Sequence, residues 1–323
     1  SEPLVAVCDT RTGTTLAEVR NRTAPARALT FSADGRWLSV FVLGDGLSVY
    51  DAETLKLRST LTGHSGTIRG LLLHPVTGDL VTAAEDGWIR RWDPDTGAPR
   101  GLIPGPAGGA GLTIPDPVRP RLYVVAKGIV AGLELEDGEV LFQHDLLSDG
   151  ATAFACGADG AVLIAQGAGQ ARTRAYAAES GEPLWEVEAA VLAVDPKRPR
   201  VALRHADEIE IRALDAAGTV LHRLPFGGKQ EIAHGTFSPD GSLLAYVEEK
   251  KRIVLQEVTT GKSKRLDAGA EVKVLHLSRN GTQLHAAVQG ALRTWDLRTG
   301  QAIATLRLEN DVSFILEDEP GLR

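Results

Sequence analysis

The chain is most informative first for what it lacks. Its 323 residues include no methionine, two cysteines and 5% aromatic residues. The missing methionine has no structural reading. Cys8 and Cys156 are far apart, and two thiols build no disulfide framework, so a reducing, cytoplasmic setting is the expectation. No stretch approaches the roughly 18 apolar residues of a membrane span. The start, Ser1-Glu2-Pro3, carries no basic segment followed by an apolar one, so no signal peptide is expected in this form and no membrane partner. A basic excess is absent too: 35 Lys and Arg face 42 Asp and Glu, a net charge of −7. Phosphate contacts want the opposite balance, which argues against a nucleic-acid partner. Long helical periodicity is also missing.

What is present is turn chemistry. Thirty-five glycines and 16 prolines punctuate short apolar runs, in a chain that is 43% hydrophobic. Length alone would suggest two domains, but a repeat overrides that rule because each unit adds its own slice of core. Polar turns, mostly closing in glycine, recur at 7–13, 49–55, 91–97, 133–138, 176–181, 214–218, 256–261 and 294–300. Gly13 and Gly300 are 287 residues apart over seven steps, a mean of 41. That is the period of roughly 40–45 residues found for four-stranded propeller blades. A second set of tight turns interleaves with the first, among them FSADG (31–35), FSPDG (237–241) and LSRNG (277–281). Asp-Gly and Asn-Gly supply the positive φ that short hairpins require. Two markers in register predict an all-β propeller forming a single domain over 1–323.

In the clearest unit the four strands are expected near 67–73, 79–84, 88–93 and 98–103. The innermost is the most continuously apolar, as for a strand covered on both faces. Eight inner strands are counted, near 26–31, 67–73, 110–114, 151–155, 190–194, 232–237, 272–277 and 312–316. Eight blades are therefore predicted, the closing one formed by 1–20 plus 309–323, with seven as the alternative. Pairing both chain ends in one blade removes free inner edges.

Gly63-His64 followed by Trp92-Asp93 resembles the signature of WD40 repeats. The resemblance implies a structural tetrad of His64, Thr82, Asp86 and Trp92, with His64 bridging the aspartate and the strand hydroxyl. Trp295-Asp296 and Tyr50-Asp51 keep part of the pattern, and the repeats over about 110–260 are degenerate. The segment AYAAESGEPLWEVE (175–188) resembles the tryptophan-docking repeat of quinoprotein-type propellers, where the tryptophan packs between blades. Trp185 stands alone in that role, since the equivalent places hold Phe142, His222 and Ala304.

Little in the chain points to catalysis. None of the eight histidines has metal-ligand spacing, and no GxSxG elbow is present. The glycine-rich run at 105–111 lacks the Lys-Ser/Thr of a phosphate loop and precedes a strand. No catalytic residue, metal or cofactor is predicted. A fold supplies only a prior, so function rests on a site. In WD40-like blades one face combines the loop before each inner strand with the turn between the second and third strands. That face places Asp45, Glu85, Trp88, Arg204, His205, Lys250 and Lys251, an aromatic beside charged loops, as at binding hot spots. The expected function is a non-enzymatic, monomeric scaffold that binds a protein or peptide partner there. The alternatives are a quinoprotein-type enzyme or cofactor-binding protein, and a sensor module of a longer chain.

Overall fold

The structure is a computed structural model, and it describes residues 3–8, 15–20, 26–31, 36–42, 46–106, 112–126, 129–145, 151–167, 171–226, 232–278 and 280–307. They form a β-propeller of seven four-stranded antiparallel blades, at 26–61, 68–104, 112–145, 151–187, 190–225, 232–267 and 272–307, here numbered 1 to 7. No α-helix occurs among the described residues, so none is long and apolar enough to cross a membrane. In each blade the strands pair in chain order from the inside outward. Blade 2 shows how closely turn chemistry fixes the boundaries: its strands are Ile68–Leu73, Leu80–Ala84, Trp88–Trp92 and Pro99–Pro104.

The core is divided into slices between blades. Second strands such as Leu80–Ala84 and Arg200–Arg204 are buried along most of their length, because neighbouring blades cover both faces. One cluster joins Trp37, Phe41, Leu47 and Val49 of blade 1 to Ile68, Leu80 and Trp92 of blade 2. Five further clusters join each blade to the next, through to Leu255 and Leu266 of blade 6 against Leu284 and Trp295 of blade 7. Burying a leucine or valine in such a slice contributes about 1.5–3 kcal/mol. Outer strands are wetter: Ser263–Asp267 buries only Leu266.

Blade number follows the alternative count of seven four-stranded sheets. A further antiparallel pair, Pro3–Cys8 with Thr15–Arg20, forms a two-stranded sheet. Val5, Ala17 and Val19 pack on Leu38, Val40 and Val42, on the face of blade 1 that blade 2 leaves free. This is where an eighth blade would sit. The segment 309–323, expected to complete that blade, lies outside the described residues.

Side chains also reach forward, from each blade to the next. His74 of blade 2 donates through Nε2 to the Arg121 carbonyl of blade 3 at 2.8 Å. Arg91 donates to the Leu135 carbonyl at 2.7 Å. Arg119 and Arg121 of blade 3 grip Glu179 of blade 4 at 2.6 and 2.7 Å. Arg200 of blade 5 donates to the Gly241 carbonyl of blade 6, and Lys264 of blade 6 to the Thr299 carbonyl of blade 7. Trp37 reaches Asp95 of blade 2 in the same sense.

Candidate functional site: the loop-ring face

Blade 2 builds the best-defined part of the face. A two-residue bulge register at Ile68–Gly70 turns the inner strand where it enters the blade, and Arg69 is left exposed there. Behind it runs a chain of hydrogen bonds. Trp92 Nε1 donates to Thr82 Oγ1 at 2.9 Å. Thr82 Oγ1 lies 2.8 Å from His64 Nε2, and His64 Nδ1 lies 2.9 Å from Asp86 Oδ2. With the Thr82 oxygen accepting from Trp92, its hydroxyl proton is free to go to His64 Nε2, so Nδ1 carries the imidazole proton and donates to Asp86. Burial holds the His64 pKa below 6.5 against the opposing pull of Asp86, which keeps the ring neutral. Burial pushes the Asp86 carboxyl up, but hydrogen bonds from His64 and the Ser65 and Trp88 amides outweigh it and leave the pKa lowered.

The same aspartate sets the surface above it. Asp86 Oδ1 accepts from the Trp88 amide at 3.1 Å, fixing the turn that presents the indole, which is 39% exposed. Arg69 Nε donates to Glu85 Oε1 at 2.8 Å, and this bond holds the Glu85 carboxyl below its usual range. One turn thus carries Trp88 and Glu85, the latter paired with Arg69 of the inner strand. Arg69 was not picked out from the sequence, because it sits inside an apolar run; only its place at the start of an inner strand could have flagged it.

The other predicted residues lie three and four blades away. Arg204 points its guanidinium at the Ile232 carbonyl of blade 6, 2.7 Å away, and so spends a hydrogen bond on blade contact. His205 is half-buried, with Nε2 3.9 Å from Glu210 and no hydrogen bond to that nitrogen. Glu210 is itself buried and gripped by Arg212 at 2.6 Å and Arg223 at 3.1 Å. Lys250 and Lys251 are exposed in the turn between the second and third strands of blade 6. Asp45 lies outside the described residues. Of the predicted residues, Glu85 and Trp88 therefore share one turn of blade 2, while Arg204 and His205 lie on blade 5 and Lys250 and Lys251 on blade 6.

Trp185 does not belong to this face. Its Nε1 donates to the Asp215 carbonyl of blade 5 at 3.1 Å, and its ring lies against Gly218. A Cβ on Gly218 would come within 2.7 Å of the indole, and φ is +58° there, so glycine is required twice over. Phe142 meets Gly181 of blade 4 in the same way. His222 and Ala304 occupy the matching register, opposite Ile211 and Thr294, as Trp185 is opposite Ala175. Where no aromatic stands there, an aliphatic residue two places on can fill the gap, as Leu224 does near Gly261.

Reactive chemistry is sparse among the described residues. No group of three His, Cys, Asp or Glu side chains is placed to hold a metal. Burial first, then the Asp116 charge, pushes the Cys156 thiol up to about 12, so it stays protonated at neutral pH and is a poor nucleophile.

Radial four-stranded blades and inter-blade cores define a β-propeller, and the His-Asp-Thr-Trp chain of blade 2 is the arrangement of a WD40 repeat. Residues 55–93 match the model of the WD domain, G-beta repeat. Residues 126–304 match the PQQ_2 model, described as outer membrane protein assembly factor BamB. That match spans more than half of the chain, and the chain belongs to the PQQ_2 family. No curated protein sequence matches it. Among solved structures, the computationally designed Ika8 protein is 16% identical with a TM-score of 0.75, the match covering 94% of each chain. Sqt1 of Saccharomyces cerevisiae is 14% identical with a TM-score of 0.75, over 93% of this chain and 90% of that one. At such identities the likeness shows the fold alone.

Proposed function

We propose that this protein is a non-enzymatic scaffold that binds a protein or peptide partner through the loop-ring face. The observation that carries the reading is Trp88, an exposed indole on a turn that is fixed by Asp86 and also carries Glu85, the ion-pair partner of Arg69. A large side chain held on a rigid base loses little conformational entropy on binding, and tryptophan and arginine are enriched at binding hot spots. The description of the PQQ_2 family names an assembly factor, which is a role exercised on other proteins and of the same kind. Affinity capture with the intact protein tests the reading, comparing wild type with Trp88→Ala at equal folded concentration. The expected outcome is a bound protein that the variant fails to retain, with an unchanged melting curve. Equal retention by both proteins removes Trp88 from the site.

A second reading, a quinoprotein-type cofactor protein, is favoured by the PQQ_2 match and by Trp185 docked on Gly218. A visible absorption spectrum and elemental analysis of protein purified from its native source test it directly. An absorbing cofactor with bound metal supports that reading against the scaffold.

A further inference from the structure

We infer that the blade 6–7 side of the loop-ring face takes an acidic peptide segment, held by Lys250, Lys251 and His234. The inference rests on the scaffold reading and names the chemistry of the partner. Three of the four described non-glycine residues with positive φ lie here: His234 at +51°, Glu249 at +48° and Lys250 at +64°. Left-handed backbone is costly for side-chain-bearing residues, and such strain gathers where function demands a particular presentation. The turn Glu248–Lys251 has both central residues left-handed, a geometry that Asn-Gly sequences favour. At the equivalent place blade 2 has Asp86-Gly87, of which only the glycine is left-handed.

The strained turn is clamped by the segment that leads into the next blade. Lys251 N–H donates to the Glu248 carbonyl at 3.2 Å, closing the turn. Val272 N–H then donates to the Lys250 carbonyl at 2.7 Å, and Ala268 N–H to the Lys251 carbonyl at 2.9 Å. Two adjacent exposed lysines are therefore carried on a fixed backbone. His234 is exposed beside them for a separate reason. Between Ala233 and Thr236 the inner strand bulges, leaving His234 and Gly235 without partners in the register. Gly235 is pressed so closely on Leu192 of blade 5 that a Cβ would come within 2.5 Å of it.

Close ion pairing leaves the two lysines without a carboxylate of their own, although the charges of Lys250 and His234 reach Glu271 from a distance and help to lower its pKa. The buried Glu248 carboxylate faces Arg265 at 3.3 Å and Arg252 at 3.7 Å. Glu249 faces Arg252 at 3.3 Å, and Glu271 faces Lys273 at 3.0 Å. Every described glutamate around the turn thus has its own cation. Lys250 and Lys251 have no carboxylate within 4.0 Å among the described residues. On a chain of net charge −7, this local excess offers carboxylates a foothold that most of the surface denies them.

The test uses the full chain and a fluorescein-labelled peptide of alternating glutamate and glycine, with its glutamine counterpart as control. Wild type is expected to bind the glutamate peptide more tightly, with affinity falling as salt is raised. Lys250→Glu/Lys251→Glu should lose about tenfold or more in affinity, whereas Lys197→Glu/Lys262→Glu, with the same charge change at exposed sites elsewhere, should lose far less. Equal loss in both double variants, or equal binding of the glutamine peptide, overturns the inference. So does tighter binding of a single-stranded oligonucleotide, which would make the patch a phosphate reader. If Trp88→Ala abolishes capture of a partner while the lysine variant changes neither capture nor peptide binding, the scaffold reading stands and this inference alone fails.

Discussion

Blade 2 and blade 4 solve one problem in opposite ways. Blade 2 fastens its own strands with a buried polar chain running from Trp92 through Thr82 and His64 to Asp86. Blade 4 has no such chain among its described residues, and fastens itself to its neighbour by laying Trp185 on Gly218. A polar chain is directional and fails as a unit, because removing one member leaves the others buried and unsatisfied. An apolar dock is graded, and substitutes for it can be found. The difference explains why, among the described residues, the tetrad is complete in one place only, whereas contact of an outer strand with the next blade's outer turn recurs from Leu61 on Gly97 to Lys264 on Gly300.

The comparison can be broken by mutation. His64→Ala should have the largest effect, about 1–3 kcal/mol by urea unfolding, because Asp86 and Thr82 lose partners in a buried site. An unchanged curve would show that the chain carries no stability. Trp185→Ala should cost about 1–2 kcal/mol, since the indole is half-buried and its loss opens an inter-blade seam. The two losses should add within about 0.5 kcal/mol, because blades 2 and 4 share no contact at these sites; a larger coupling would mean that the blades do not act as separate slices.

Acid sharpens the contrast further. His64 and His74 have folded pKa values lowered from 6.5 by burial. The unfolded chain then binds more protons below that value, so their stabilising contribution is present above pH 6.5 and is lost as pH falls through it. Melting temperature should drop on acidification, and drop less steeply in His64→Ala; a pH-independent melt would contradict the neutral assignment. The smallest stability change is expected for Trp88→Ala, within about 0.5 kcal/mol, because the side chain is exposed. A large loss would place Trp88 in the core of blade 2.

Blade boundaries were legible because they are written in local turn chemistry, and the glycines that close the turns need no distant partner to be recognised. His64, Thr82, Asp86 and Trp92 were legible by resemblance, since four matched positions fall within one repeat. The inter-blade grips were not. Arg119 and Glu179 are a blade and a half apart in sequence, and nothing local marks them as partners. His205 looked like a surface loop residue and is half-buried near Glu210 for the same reason. The left-handed turn at Glu249 and Lys250 was hidden because its carbonyls are held by the amides of Ala268, beyond the outer strand, and of Val272 in the next blade.

The forward reach of side chains from each blade to its successor has a consequence for how such a ring can change. Because the donors sit on one unit and the acceptors, mostly backbone carbonyls, on the next, an incoming unit needs only an ordinary main chain to be accepted. Copying or deleting a whole internal unit would leave most joints chemically familiar, so ring size is open to evolutionary drift in a way that a mutually tailored core is not.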